Sequence, residues 1–550
     1  MKRIFTLLSF LLLISFLSAQ NTVGLLSYNP DEAFDSYSLI YPHRQPNVYL
    51  FNNCGEIVHT WEDTIGLVPG NTAYLLENGD LVKTKRPAIF AGDPIWAGGG
   101  GETIEIRDWD NNLKWSYSLN DSSARLHHDI EVMPNGNILA IAWELMTNDE
   151  AIANGRDSAK LNQIVLWPDY IFEIEPIDSD SFNILWEWHA KDHLIQDFDN
   201  TKLNFGVVSE HPELINFNWE TNNAGSDWMH ANSIDYNEDL DQIVLSVPTF
   251  HEFWIIDHNT STNEAAGPAG DLLFRWGNPA AYGGDSSLQK SFYQHDVRWI
   301  NDIPSDQSNF GKISFFNNRV GEDYSTVNII EPTYDAVTNT YAKENGVFLP
   351  LDFDFAYQRP DSTALYSTGL SSFQVLPNGN MLICVGRFGY QFEINENLDI
   401  VWEFKTPLIG SGSSSMPATQ EDTILINQNL TFRAYKFPLD FPAFEGRDLT
   451  AKGYLEMNPD STFCATILPT EESSEYLDIK IFPNPASDYT TIQWDSSNNV
   501  DLSIFNQLGI RILSKRVNGN QFELDIKNYS DGIYFIKIND ELTKKIIIQR

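Results

Sequence analysis

Cysteine is scarce in this chain, with only three among 550 residues. They are Cys54, Cys384 and Cys464, so they can form one disulfide at most, and at least one thiol is left over. The sequence does not reveal which two would pair, and three buried, unpaired thiols are the alternative.

Basic residues are also few, since 35 Lys and Arg stand against 76 Asp and Glu, for a formal net charge of −41. The acidic residues are scattered, and no basic block is present to neutralise phosphates, which argues against nucleic-acid binding. Long amphipathic helical patterns are missing too. Short apolar runs separated by Asn, Asp, Gly and Pro, with an aromatic content of 13%, predict an all-β protein with many turns.

The first twenty residues are the exception, because two cations (Lys2 and Arg3) precede an apolar run that ends in small residues. This pattern predicts a cleaved signal peptide over residues 1–20, which is too short for a membrane span. No cysteine follows the expected cleavage point, so no lipid anchor is indicated. We therefore expect an exported protein with no transmembrane segment in the mature chain.

From residue 47 onward one pattern recurs: a first strand, a turn of the Asn-Gly or Glu-Asp kind, a second strand, and a closing strand rich in Trp. Asn-Gly between apolar runs is the strongest short-range hairpin signal. The first strands open at Asn71, His127, His230, His295 and Ser371, and the closing strands begin at Asn111, Phe182, Asp271 and Leu398. Repeated four-strand units of this kind predict a β-propeller over residues 21–460.

One further closing strand, from Cys54 to Glu62, precedes the first opening strand. It is explained if early residues pair with the last unit, whose other strands would lie around Thr423 to Leu439. Five full units and this composite one predict six blades. A pair of sandwiches or a β-helix would leave the early closing strand unexplained.

After a polar linker over residues 461–477, residues 478–550 alternate with period two and carry regular turn signals, which predicts a β-sandwich of about seven strands. Its FPNP start, SIFNQLG middle, YSDGIYFIKI stretch and Lys-rich last strand closely resemble the C-terminal sorting domain of cargo for the type IX secretion system of Bacteroidetes. The resemblance implies export through the periplasm to the cell surface or medium, with the secretion machinery as a partner.

Three histidines stand at one repeat-equivalent position when the opening strands are aligned: His128, His230 and His295. The innermost strands of a propeller line its channel, so the three should converge at one mouth. Strand alternation predicts that His127 points away from His128, and that Asp129 and Asp296 point away from the histidines beside them. Any carboxylate partner would then come from elsewhere.

Three converging histidines are compatible with two kinds of chemistry. They could hold zinc with an open fourth position, as in other three-histidine catalytic sites. They could instead cradle a tetrahedral oxyanion, with one neutral imidazole as nucleophile. The spacing does not distinguish the two.

The segments DWMHANSIDY, IVLS, FWIID, LLFRWGNPAAYGG, QHDVRWI and ISFFNN resemble the aryl-sulfate sulfotransferases, six-bladed propellers that need no nucleotide sulfate donor. The similarity extends over about residues 71–404. It implies a reaction without cofactors, in which His295 is transiently sulfated by an aryl sulfate ester and then passes the group to a phenol. His128 and His230 would bind the sulfuryl oxygens and assist the leaving phenolate.

One departure from that family concerns an arginine on the second strand of the His230 unit, where this chain has Pro248 and Thr249. Arg387 and Arg319 are the candidate replacements for binding the sulfate. The missing arginine leaves a second hypothesis open, a non-catalytic propeller that binds sulfated or phenolic ligands or glycans. A three-histidine metal hydrolase is a third.

Overall fold

The computed structural model describes residues 21–89, 92–93, 95–161, 163, 165–219, 225–411, 414–462, 464–465, 480–494, 500–506, 511–530, 532–538 and 542–549. They fall into two compact units, divided after Ile467. The predicted signal peptide and most of the predicted linker lie outside the described residues.

Antiparallel sheets of four or five strands build the first unit, and its described part contains six of them, named here sheets I to VI. The predicted opening strands are the first strands of sheets I to V, and the predicted Trp-rich strands close sheets I, II, III, V and VI. Sheet I comprises Leu67–Leu75, Leu81–Pro87, Thr103–Arg107 and Leu113–Ser118; sheet II Ala124–Val132, Ile138–Glu144, Asp169–Pro176 and Phe182–His189; sheet III Ser233–Asn237, Gln242–Val247, Glu252–Asp257 and Phe274–Trp276; sheet IV His295–Trp299, Ile313–Asn317, Thr326–Ile330 and Phe355–Tyr357; sheet V Ser372–Val375, Met381–Val385, Tyr390–Ile394 and Ile400–Lys405, with Gly24–Tyr28 as a fifth, edge strand; sheet VI Thr431–Pro438, Ser36–Pro42, Val48–Asn52 and Ile57–Trp61.

Asn-Gly pairs form the turns between the first two strands of sheets I, II and V. Gly79, Gly136 and Gly379 take φ values of +87°, +89° and +89°. Each glycine N–H donates to the carbonyl three residues earlier, as in Gly79 to Leu76 at 2.9 Å. Glycine adopts this left-handed conformation without a steric penalty, so the turn chemistry fixes the strand register.

Sheet VI joins the two ends of the first unit, because its first strand, Thr431–Pro438, pairs with Ser36–Pro42. The prediction that early residues complete the last sheet is thus confirmed. The predicted division of strands was wrong, because the early residues supply three strands and the region around residues 423–439 supplies one. The early strands also carry apolar alternation, but only Cys54 to Glu62 matches the Trp-rich closing pattern.

Neighbouring sheets pack face to face, and the hydrophobic core lies between them. Sheets II and III bury Ile141, Trp188, Ile243 and Trp254 against one another, and the other neighbours share similar clusters. Between sheets V and VI, Phe51 and Phe404 stack with ring centroids 4.4 Å apart. The second strands of sheets II to V are buried on both faces, and they accordingly read as nearly continuous apolar runs, as in Ile138–Glu144 and Met381–Val385.

First strands of consecutive sheets contact one another, and the first strand of sheet VI contacts that of sheet I, so the six strands form a closed ring. At its centre the Arg433 guanidinium lies 2.7 Å from Asp129 Oδ2 and 2.9 Å from Asp296 Oδ1. Arg433 also donates to the Tyr74 hydroxyl at 2.6 Å. Side chains from sheets I, II, IV and VI therefore meet on the axis.

Short elements occupy the connections between strands, and within the described residues no helix is both long and apolar enough to span a membrane. The α-helices are Asn148–Ala153, Thr262–Ala265 and Ser362–Leu365; the 3₁₀ helices are Ser158–Lys160, Ala190–His193, Val208–Glu210, Pro268–Gly270, Pro279–Tyr282, Ser286–Leu288, Gly386–Phe388 and Pro442–Phe444; the two-stranded sheets are Met146–Thr147 with Val165–Leu166, Leu194–Ile195 with Ile215–Asn216, Tyr334–Asp335 with Thr340–Tyr341, Lys343–Glu344 with Val347–Phe348, and Leu408–Ser411 with Ser414–Pro417.

In the second unit, two antiparallel sheets of three and four strands share one core that includes Ile492, Trp494 and Ile536. The sandwich expected from the alternation is therefore present in the part of this unit that the structure describes. The strands are Lys480–Phe482, Tyr489–Gln493 and Gln521–Asp525 in one sheet, and Val500–Asn506, Arg511–Val517, Gly532–Ile538 and Leu542–Ile548 in the other.

A disulfide joins Cys54, between two strands of sheet VI, to Cys464, and Cys384 is buried as a free thiol. The two cysteines of the disulfide are 410 residues apart in the sequence. The segment before Cys464 also pairs with sheet VI, since the Ile57 N–H donates to the Gly453 carbonyl at 2.7 Å. The disulfide therefore fastens the end of the first unit to the sheet that closes the ring.

We expect a Cys54→Ser, Cys464→Ser double variant to lose about 3–5 kcal/mol of unfolding free energy, because a cross-link over so long a loop removes much entropy from the unfolded chain. Urea unfolding followed by tryptophan fluorescence measures this loss. Reductant should destabilise the wild type by the same amount and leave the double variant unchanged. Equal stability of the two proteins under oxidising conditions would contradict this role.

Candidate functional site

Two candidate site residues lie on the first strands of sheets II and IV, with His128 in the middle of Ala124–Val132 and His295 at the start of His295–Trp299. Strand register is irregular there, between Ala140 and Ala142 of sheet II and between His295 and Arg298 of sheet IV. His128 and Asp296 take left-handed φ values of +50° and +54°. Such conformations are uncommon for residues other than glycine, and here they turn side chains out of the regular alternation.

The structure brings His128, His230 and His295 together at this end of the ring. The His128 and His230 rings meet edge to face with centroids 4.5 Å apart. The Phe432 ring, from sheet VI, lies 6.3 Å from both the His128 and the His295 rings. Burial is the main reason why the pKa of His128 lies well below its usual value. The neighbouring imidazoles of His230, His127 and His295 lower it further.

The prediction that His127 points away from His128 is wrong. The His127 and His128 Nδ1 atoms lie 2.9 Å apart, at hydrogen-bond distance. The left-handed backbone at His128 breaks the two-residue alternation on which the prediction was based. His127 is buried and stacks on Trp143 with centroids 4.1 Å apart and ring planes 7° from parallel.

Asp227 is hydrogen-bonded to Nδ1 of His230. Burial alone would lower the pKa of His230, but the carboxylates of Asp227 and, to a smaller extent, Asp169 outweigh it, so the pKa is raised from its ordinary value. His230 therefore holds its proton more tightly than an ordinary histidine, and in its protonated form it can donate from Nε2.

His295 is held in a different state by Asn318. The Asn318 amide nitrogen donates to the carbonyls of Ser367 and Leu370, at 3.0 and 2.9 Å, so its oxygen faces His295 Nδ1 at 2.8 Å. His295 Nδ1 must then carry the proton, which leaves a lone pair on Nε2. Burial lowers the pKa of His295 to about 3, so the ring is neutral over the physiological range.

Arg387 approaches the same space from the 3₁₀ helix that follows the second strand of sheet V. A methyl group placed on Gly369 would stand 3.2 Å from Arg387 Nη2 and 3.8 Å from His295 Cε1. Arg387 Nε is buried without a hydrogen-bond partner among the described residues. The space beside Gly369 is therefore bordered by a guanidinium on one side and an imidazole on the other.

Arg319, the other candidate, is exposed, and its guanidinium carbon lies 3.8 Å from the centroid of the Tyr293 ring. Its Nε donates to the Thr368 carbonyl at 2.9 Å. It is near enough to contribute to the pKa values of His230 and Arg387, which it lowers.

Thr249 is 2% exposed, and its hydroxyl lies 2.7 and 2.6 Å from the Trp228 and Met229 carbonyls, so it supplies no cation. Asp129 and Asp296 bind Arg433, as described above, and not the neighbouring imidazoles. Among the described residues, no group of three or more His, Cys, Asp or Glu side chains is arranged to hold a metal ion.

Sequence reasoning missed Asp227, Asn318 and Asp169. Asp227 and Asn318 lie within the motifs DWMH and SFFNN, so motif neighbours of the histidines were a signal that could have found them. Asp169 lies in sheet II, far along the chain from His127. Only the pairing of its strand with the second strand of that sheet brings it near the His127 ring.

Residues 101–406 match the family model described as Arylsulfotransferase (ASST), which is more than half of the chain. The chain belongs to the arylsulfotransferase family. Residues 480–549 match the secretion system C-terminal sorting domain. Both resemblances drawn from the sequence are thereby confirmed.

An endo-acting ulvan lyase of Formosa agariphila is 34% identical to this chain over 77 residues. The match covers 13% of this chain and 15% of the lyase, so the chain spans only a small part of that curated relative.

Similarity to solved structures is remote. A protein of unknown function from Bacteroides caccae is 9% identical, with coverage of 73% of this chain and 99% of that chain and a TM-score of 0.39. PorZ of the Porphyromonas gingivalis type-IX secretion system is 9% identical, with 92% and 73% coverage and a TM-score of 0.24. A streptogramin B lyase is 10% identical, with 75% and 97% coverage and a TM-score of 0.32.

NMR titration of labelled histidines should find the pKa of His230 raised above its ordinary value and the pKa of His295 lowered to about 3. In Asp227→Asn the His230 pKa should fall, because the carboxylate that raises it most is removed while burial still lowers it. His295 serves as the internal control, since it should be neutral in both proteins. An unchanged His230 pKa in the variant would contradict the assignment.

Proposed function

We propose that this protein is a secreted, six-bladed propeller sulfotransferase, which moves a sulfuryl group from an aryl sulfate ester to a phenol through a sulfo-histidine at His295. The closed ring of six first strands supports the blade number. Family membership supports the reaction class, and the sorting domain supports export through the periplasm to the surface or medium. The signal peptide over residues 1–20 remains part of this proposal.

The observation that carries the proposal is the fixed tautomer of His295. Asn318 holds the proton on Nδ1, so the Nε2 lone pair is available to attack sulfur without prior deprotonation. Since the imidazole is neutral, its nucleophilicity does not depend on pH over the physiological range.

In the first half of the reaction, His295 Nε2 forms a bond to sulfur as the bond from sulfur to the aryl oxygen breaks. His230 donates its Nε2 proton to the departing phenolate, a step favoured by the raised pKa that Asp227 gives it. In the second half, the oxygen of a phenol acceptor attacks sulfur, and the electrons of the nitrogen–sulfur bond return to His295.

Sulfuryl transfer, like phosphoryl transfer, spreads charge over three equatorial oxygens, so preorganised donors supply much of the acceleration. We assign that task to Arg387, whose Nη2 borders the space beside His295. Arg319 is the weaker candidate, because its guanidinium already stacks on Tyr293 and donates to Thr368.

His295→Ala should abolish sulfuryl transfer, because no other neutral imidazole occupies its place. Incubating the wild type with an aryl sulfate should release one equivalent of phenol in a rapid burst. The peptide that contains His295 should then be heavier by the mass of one sulfuryl group. His211→Ala, at an exposed histidine outside the site, is the control and should transfer normally. Normal transfer by His295→Ala would remove the nucleophile assignment.

Gly369→Ala tests Arg387 without altering a charge. The added methyl group would occupy the space between Arg387 and His295, and no left-handed φ restricts alanine there. We expect the burst to slow by about 10²-fold, as on loss of an oxyanion donor. Gly267→Ala, where a methyl group meets only the Glu264 carbonyl at 3.6 Å, is the matched control. If Gly369→Ala and Gly267→Ala gave equal burst rates, the stabilisation of the sulfuryl oxygens would belong to a residue other than Arg387.

The second hypothesis is a non-catalytic propeller that binds sulfated or phenolic ligands or glycans, and it is favoured by Thr249 standing where the family has an arginine. It predicts heat of binding in calorimetry with no burst from several aryl sulfates. The metal hydrolase predicts stoichiometric metal in the purified protein and loss of activity on chelation. The sulfo-histidine mechanism predicts full activity in the presence of chelator.

A further inference from the structure

His128 and two buried groups behind it line up as a chain that leads away from the site. The His128 and His127 Nδ1 atoms are 2.9 Å apart, and His127 Nε2 lies 3.1 Å from Asp169 Oδ1. The second contact is at ion-pair distance but is not aligned as a hydrogen bond. His127, His128 and Asp169 are 3%, 4% and 0% exposed, so bulk water does not interrupt the chain.

The surroundings of His127 decide where its proton lies. Burial lowers the pKa of His127 to about 3, so its ring is neutral and carries one proton. Its Nε2 lies 3.1 Å from Asp169 Oδ1, which favours that proton on Nε2. A proton on Nε2 leaves His127 Nδ1 as an acceptor, so His128 Nδ1 donates to it. His128 Nε2 then carries a lone pair on the side of the ring away from His127.

The positions of the rings are fixed independently of this chain. His127 stacks on Trp143, and Asp169 Oδ2 accepts the Ala231 N–H at 2.7 Å. His128 is held by its own N–H, which donates to the Gly99 carbonyl at 2.8 Å. A buried imidazole pair that is so rigidly placed needs little reorganisation when a proton moves.

We propose that His127 and Asp169 are positioning residues that make His128 the base for the phenol acceptor in the second half of the reaction. This inference rests on the proposed function. As the phenol oxygen bonds to sulfur, its proton passes to His128 Nε2. The His128 Nδ1 proton can shift to His127 Nδ1, and the positive charge is shared along the chain toward Asp169.

The proton that His128 captures is the one that His230 needs to complete the catalytic cycle. His230 has given its Nε2 proton to the departing phenolate in the first half, and its ring lies 4.5 Å from that of His128. Transfer of the captured proton from His128 to His230 restores both groups. The net reaction is one aryl sulfate and one phenol exchanging a sulfuryl group, with no proton gained or lost.

His127→Phe tests the inference, because phenylalanine can stack on Trp143 but cannot accept a proton. The sulfation burst should keep its wild-type rate, since the first half of the reaction does not use His128 as a base. Transfer from sulfo-His295 to a tyrosine-type phenol, whose pKa is about 10, should slow by about 10²-fold. Transfer to a nitrophenol already ionised at the assay pH should be unchanged.

His193→Phe is the matched control, because His193 is also buried, stacks on Trp188 at 5.2 Å and binds Asp271 at 2.8 Å. It should leave both half-reactions unaltered. Asp169→Asn is a second variant in case His127→Phe does not fold, and it should give the same difference between the two acceptors.

Equal slowing with both acceptors, or no slowing with the un-ionised phenol, would overturn the inference while the burst still supported the proposed function. Absence of a burst in the wild type would instead remove the proposed function, and the role of His128 with it. Thermal unfolding of each variant separates loss of the fold from loss of proton transfer.

Discussion

The ion pairs of Arg433 on the axis of the ring determine where the site lies. Arg433 comes from the last strand of the ring and binds Asp129 and Asp296, which directly follow His128 and His295 in the sequence. Both carboxylates are buried, and Asp296 also pairs with Arg298 at 2.9 Å, so removing the Arg433 guanidinium would leave Asp129 as a buried charge without a cation, which is strongly unfavourable. The aspartates are thus held toward the axis, and the histidines beside them are held at the mouth. Packing between sheets builds the ring, but this interaction sets its inner geometry.

The three histidines of the site differ in protonation behaviour because each imidazole has a different hydrogen-bond partner. A carboxylate raises the pKa of His230, an amide oxygen fixes a neutral tautomer of His295, and a second imidazole contacts His128. These differences arise from neighbours within about 3 Å, and burial amplifies them because the interior screens charge weakly. The Arg387 guanidinium beside Gly369 then supplies a positive charge that the neutral rings of His128 and His295 do not.

Much of the fold could be predicted from the sequence because its signals are local. Asn-Gly turns such as Asn78-Gly79 and the Trp-rich closing strands marked most strands of the ring. The pairing of Ser36–Pro42 with Thr431–Pro438 could be predicted only in outline, since strand partners far apart in the chain leave no local trace. Alignment of repeats led to His128, His230 and His295. It failed for His127, because a left-handed residue in a strand is decided by tertiary contacts and not by the pattern of the strand.

Sheet VI also makes the candidate site depend on both ends of the first unit. Its first strand carries Phe432 and Arg433, pairs with Ser36–Pro42, and contacts the first strands of sheets I and V. A chain truncated before Phe432 would therefore hold all three histidines but lack the aromatic ring and the guanidinium that contact them and their neighbouring aspartates.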